Sequence, residues 1–154
     1  MTDHDALADL DRRPLTDDRD LERYLTALMR EGSVWRTWVM LLDDQWRSTK
    51  VIIPIDGLPK DPQEPAAMPS GGPVSAARVL GVRIAEIVEQ TPSSAAAVVI
   101  WERPGGVGAD PKLDRWVSGM REAFAAGPEA LRAQVLLGDE GAKVLGATVL
   151  GRAA

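Results

Sequence analysis

The stretch Ala95–Pro111, A-A-A-V-V-I-W-E-R-P-G-G-V-G-A-D-P, decides the fold. It opens on an unbroken apolar run, Ala95–Trp101. A short run of that kind without alternation reads as a strand buried on both faces, as in a sheet with helices on either side. The proline and glycines of 103–108 then turn the chain. Asp110 and Pro111 mark a helix start, an N-capping carboxylate followed by proline at the first helical position. Leu113, Trp116, Val117, Met120 and Phe124 line one face of that helix, and Gly127–Pro128 stop it. Leu131–Leu137 is a further β-run, so the region reads as a β-α-β unit with a parallel strand pair.

Working outward, G-D-E-G at 138–141 makes a turn before a last strand at Lys143–Leu150. Upstream, Val74–Gln90 reads as a helix with Ala77, Leu80, Ile84, Ile87 and Val88 inward, and Gly81 inside it weakens it by up to ~1 kcal/mol relative to Ala. Before that lies Asp56–Pro73, which carries five prolines and reads as a long loop, functional or mobile. Val34–Leu42 and Trp46–Ile55 are β-runs around a short polar break, an antiparallel hairpin turning at Asp43–Gln45. Pro54 donates no hydrogen bond, so it belongs at a strand end or on an edge. A first helix spans Asp17–Glu31, with Leu21, Tyr24, Leu25, Leu28 and Met29 on one face, ended by Gly32 in the left-handed region. Residues 1–15 are charged and read as a flexible segment, leaving 16–154 as one domain. The class is α/β: a single mixed sheet with an N-terminal antiparallel hairpin, helices on both faces, and the order α-β-β-α-β-α-β with a further final strand.

Composition narrows function. The net charge is -5 and no Lys/Arg cluster occurs, which argues against nucleic-acid binding. Cysteine is absent and His4 is the one histidine, which argues against thiolate or histidine catalysis and a metal site. No apolar stretch approaches the ~20 residues of a membrane span, and no signal peptide is visible. These features point to a cytoplasmic protein without cofactor or metal.

The Gly-rich corner is the candidate ligand site. Gly105, Gly106 and Gly108 can present backbone N–H groups beyond a strand end, and Arg103 can grip a carboxylate or phosphate. A structural corner is the preferred reading, because Asp110 already caps the helix and Pro111 stands where a dinucleotide fingerprint needs its third glycine. Glu102 as a catalytic acid lacks a second acid or histidine. Asp43 and Asp44 read as turn formers rather than cation ligands. Among five tryptophans, Trp35 and Trp46 flank the hairpin and can pair across it. With Pro54 they form the candidate interface, for a homo-oligomer or a protein partner.

The element order resembles the zinc nucleobase deaminase fold. That family opens its second helix with a metal-binding His or Cys beside a catalytic Glu, and its third with P-C-x-x-C. The matching places here read G-G-P-V-S-A-A (71–77) and R-P-G-G-V-G-A-D-P (103–111), so this resemblance implies topology and no zinc chemistry. Pro54–Pro59 (P-I-D-G-L-P), Arg103-Pro104-Gly105 and Asp114-Arg115-Trp116 make the chain similar to a group of small uncharacterised actinobacterial proteins. That resemblance implies a shared fold from about Leu15 to Leu137 and no particular activity. The reading is a non-catalytic, self-associating interaction or regulatory domain, with a small anion or nucleotide bound at 103–110 as the alternative.

Overall fold

The computed structural model describes residues 3–56, 58, 65–68, 71–105, 111–125 and 130–145, with the backbone alone at 3–6, 65–68 and 71–74. Among the described residues the elements run in the order α1 (Asp3–Leu10), α2 (Asp18–Met29), β1 (Arg36–Leu42), β2 (Ser48–Ile55), β3 (Pro65–Met68), β4 (Gly71–Ser75), α3 (Ala76–Gln90), β5 (Ala96–Glu102), α4 (Pro111–Ala125), β6 (Ala130–Gly138) and β7 (Gly141–Leu145).

Five strands form one mixed sheet in the order β2-β1-β5-β6-β7. The β5–β6 pair is parallel, joined through α4, and the other neighbours are antiparallel. Every residue of β5 is buried, as its unbroken apolar run requires. Alternation splits its side chains between two cores. Ala97, Val99 and Trp101 pack with α3 and α4, whereas Ala96, Val98 and Ile100 pack with α1 and α2. The molecule is therefore a three-layer α/β/α domain with the sheet in the middle.

Two buried polar side chains cross-link these layers. Trp101 donates its indole N–H to Gln134 Oε1 at 3.0 Å, and Gln134 Nε2 donates to the Val117 carbonyl at 2.9 Å. Buried Arg132 of β6 donates Nε to the Leu15 carbonyl and NH2 to Asp18, both at 2.8 Å, and lies over the Trp46 ring. Gly81 of α3 faces Ala123 of α4, and Gly119 of α4 faces Ala77 of α3, so closely that a Cβ on either glycine would collide with the facing one. The glycine that weakens α3 in isolation thus lets the two helices meet.

Several expectations are corrected. The N-terminal residues, read as a segment outside the domain, form α1 and then an arm that packs: Leu10 and Leu15 are fully buried, Tyr24 Oη donates to Asp11 Oδ1 at 2.7 Å, and Leu15 N–H donates to the Trp46 carbonyl at 2.8 Å. The 56–73 stretch contains strand: β3 and β4 form a two-stranded antiparallel ribbon, a place where prolines are tolerated because each strand has an unpaired edge. α3 starts at Ala76 rather than Val74, because Ser75 is its N-cap and accepts from Arg78 N–H. α2 ends at Met29 with Arg30, not Gly32, at positive φ (70°). Gly32 serves a different purpose: it is buried, its N–H donates to the Gly138 carbonyl at 2.9 Å, and a Cβ there would run into the carbonyls of Leu137 and Arg103. β7 begins at Gly141, two residues before the expected Lys143. Asp110 as helix cap, Gly127–Pro128 as helix stop, and residues 146–150 as strand lie outside the described residues.

Candidate functional site

The end of the sheet where β5 and β6 terminate brings together Glu102, Arg103, Gly105 and Trp35, four of the residues singled out from the sequence. Glu102 is the last residue of β5, on the face of Val98 and Ile100, and is 7% exposed. Its Oε2 accepts from the backbone N–H groups of Ser33 (3.0 Å) and Val34 (3.3 Å), and its Oε1 from the Trp38 indole (2.9 Å). Burial pushes this carboxyl's pKa up. The donors from Ser33, Trp38 and Val34, with the nearby Arg36 charge, outweigh burial and hold it below its ordinary value. Glu102 is therefore a carboxylate locked into its own chain by three N–H donors.

What it grips is the loop from α2 to β1. Arg30 takes positive φ, Gly32 is wedged against two carbonyls, and Glu102 holds the next two amides. The loop then presents Val34 (45% exposed) and Trp35 (66%) to solvent. The Arg103 guanidinium lies 4.2 Å from the Trp35 ring centroid, a cation–π stack. Its NH1 donates to the carbonyls of Glu102 (2.7 Å) and Arg36 (3.4 Å). Arg36 in turn lies over Trp38 and is 3.9 Å from Asp56. On the other face of the sheet Trp116 packs against Trp101, ring centroids 5.7 Å apart.

The corner itself is tied back to the sheet. Arg103 N–H donates to the Leu137 carbonyl at 3.0 Å, prolonging the strand pairing. Gly105 has φ 92°; its N–H donates to Asp139 Oδ1 at 3.1 Å and its carbonyl accepts from Asp139 N–H at 2.9 Å. A carboxylate thus occupies the amide that an anion would use. Gly106 and Gly108 lie outside the described residues. Arg103 and Trp35, expected at separate sites, are brought together.

The hairpin pairing of Trp35 and Trp46 is not formed. They sit at opposite ends of the seven-residue β1, roughly 23 Å apart at about 3.3 Å per residue. Trp46 is half-buried with φ 64°, within a turn that Asp43 organises by accepting from the N–H groups of Gln45 and Arg47. Pro54 is exposed on β2, opposite Trp38. The sheet edges differ from an open template. On β7, the N–H groups of Ala142 and Val144 donate to Thr26 Oγ1 (3.0 Å) and Glu22 Oε2 (2.8 Å) of α2. On β2, Pro54 offers no donor, the register is irregular between Met40 and Leu42, Lys50 takes positive φ, and the amides of Lys50 and Val51 turn to Ser48 and Thr49 hydroxyls. Bulges, lysine and proline are the devices that blunt strand pairing.

A concavity of about 330 Å³ lies between the start of α3 and α4 and is lined by Ser75, Asp114, Arg115, Ser118 and Glu122. The α4 side chains there are exposed and of both signs, an ordinary solvated helix face. Among the described residues no helix is long and apolar enough to cross a membrane, and no group of three or more His, Cys, Asp or Glu is placed to hold a metal. Comparisons with protein-family models, with curated proteins and with solved structures each find no match.

Proposed function

We propose that this chain is a non-catalytic, cytoplasmic interaction domain that self-associates through the surface centred on Trp35. The observation that carries the reading is the way loop 30–35 is built. Positive φ at Arg30, a wedged glycine and a buried carboxylate all constrain a segment whose outcome is two exposed apolar side chains. Unfavourable backbone and buried charge persist where the surroundings over-determine them, and such places cluster at functional sites. Tryptophan and arginine are the residues most enriched among those that dominate binding energy. A second copy suits the surface electrostatically, because Trp35 is flanked by Arg36 and Arg103 on a chain whose net charge is -5.

The exposed parts of Val34 and Trp35 make up a small fraction of the ~800 Å² per partner in a stable interface, so the association is transient. The blunted β2 edge and capped β7 edge favour contact through side chains over strand addition. The anion or nucleotide alternative draws no support from the described residues, since the Gly105 amide is bonded to Asp139 and Arg103 NH1 to carbonyls. Kinship with the actinobacterial group belongs to the same proposal. Native mass spectrometry and sedimentation over a concentration series reaching roughly 1 mM, a range that registers even ~4 kcal/mol association, are the test. The wild type is expected to populate dimer, and Trp35→Ala to remain monomeric. A wild type that stays monomeric throughout overturns the reading.

A further inference from the structure

Three N–H donors converge on the Glu102 side chain, two on one oxygen and one on the other. A carboxylate accepts at both oxygens, whereas the glutamine amide accepts at one and confronts the remaining donor with an NH2 group. The charge is thus specified by the site it fills. Its three partners are 64 to 69 residues away in sequence, and two of them are the amides immediately before Trp35. Other groups fix the loop on either side, Gly32 through the Gly138 carbonyl and Trp35 through the Arg103 guanidinium.

We infer that Glu102 is a positioning residue for the Trp35 surface, fixing Ser33 and Val34 so that Trp35 meets a second copy of the chain in a single pose. The inference rests on the self-association reading above. Its physical content is pre-organisation: a loop already ordered in the free chain loses less conformational freedom on binding. Glu102 touches no partner in this account and acts through the backbone it holds.

Two measurements on the full chain test it together: amide hydrogen exchange at Ser33 and Val34, and the dimer dissociation constant by sedimentation. Glu102→Gln is expected to accelerate exchange at Ser33 and Val34 by about tenfold or more while Val99 and Val135 amides in the sheet stay protected, and to weaken dimerisation by roughly 10- to 100-fold. A purely structural role would lower the melting temperature and leave the dissociation constant of the folded chain unchanged. If Glu102→Gln does not fold, Glu102→Asp, which keeps the charge and withdraws it by one methylene, is expected to give the same two shifts. Unchanged exchange at Ser33 and Val34 overturns the inference. So does loosened exchange with unchanged dimerisation, and in that case dimer loss in Trp35→Ala leaves the self-association reading standing. A monomeric wild type overturns both.

Discussion

The closest approach between helices gives the sharpest quantitative prediction. In an exposed helix interior, Gly81→Ala would stabilise by up to ~1 kcal/mol through backbone entropy. Here the added Cβ would lie against the Ala123 Cβ, nearer than such atoms approach, so α3 and α4 must move apart. That movement would loosen Leu80, Ile84, Met120 and Phe124, all buried in the shared core. Overpacking of this kind destabilises by about 1–3 kcal/mol, so after the propensity gain the net loss reaches about 2 kcal/mol at most. In a chain of 154 residues this lowers the melting temperature by up to roughly 6 °C. The assay is thermal and urea unfolding of Gly81→Ala, Ala123→Gly and the double variant. Ala123→Gly alone loses ~1 kcal/mol of propensity. The double variant exchanges knob for hole with propensities cancelled, so it should lie near the wild type and reveal a coupling of about 1–3 kcal/mol. Stabilisation by Gly81→Ala alone, or strict additivity of the pair, would refute the contact.

Two further predictions concern the packing of the N-terminal arm. Tyr24 is the single tyrosine, and its pKa is pushed up to about 12, first by burial and then by Asp11, against a lowering hydrogen bond with Ser48. A group whose folded pKa lies above its unfolded value of 10.0 contributes stability below pH 10 that is lost as pH rises towards 12. Titration of tyrosinate absorbance should therefore give a midpoint near 12 in the folded chain, and a midpoint near 10 would mean that Tyr24 is not buried beneath the arm. Arg132→Ala removes the group that holds Leu15 and Asp18, so it should destabilise by about 1–3 kcal/mol. It should also speed tryptic cleavage at Arg12 and Arg13; an unchanged cleavage rate would mean that the arm docks without it.

What was legible in the sequence follows how local the determinants are. The apolar run of β5, the helical spacing from Leu113 to Phe124 and the hairpin around Asp43 each declare themselves within a dozen residues, and each is present. α1 was hidden because its apolar side is little more than Leu7 and Leu10 among charges, and its docking uses Tyr24 and the arm's contact with Trp46. The β3–β4 ribbon runs against its own prolines, and it lies against α3. Gly32 has two possible uses, ending a helix or admitting a close neighbour, and the carbonyls that decide between them come from Arg103 and Leu137. The candidate site was half readable. Trp35 and Arg103 stood out by residue type, whereas the grip of Glu102 on Ser33 and Val34 spans almost half the chain and leaves no local pattern.

The capping of β7 by α2 has a consequence for how the chain acquires its fold. Thr26 and Glu22 meet Ala142 and Val144 across separations of 116 and 122 residues, and Arg132 reaches Leu15 across 117. Helix α2 leaves the ribosome well before β6 and β7, with Leu21, Tyr24 and Leu25 still uncovered, and its docking surface is completed by those later strands. Contacts of such long range are slow to form because loop closure precedes any reward. During synthesis the nascent chain accordingly carries an exposed apolar helix until β6 and β7 emerge, the interval in which a chaperone would find it.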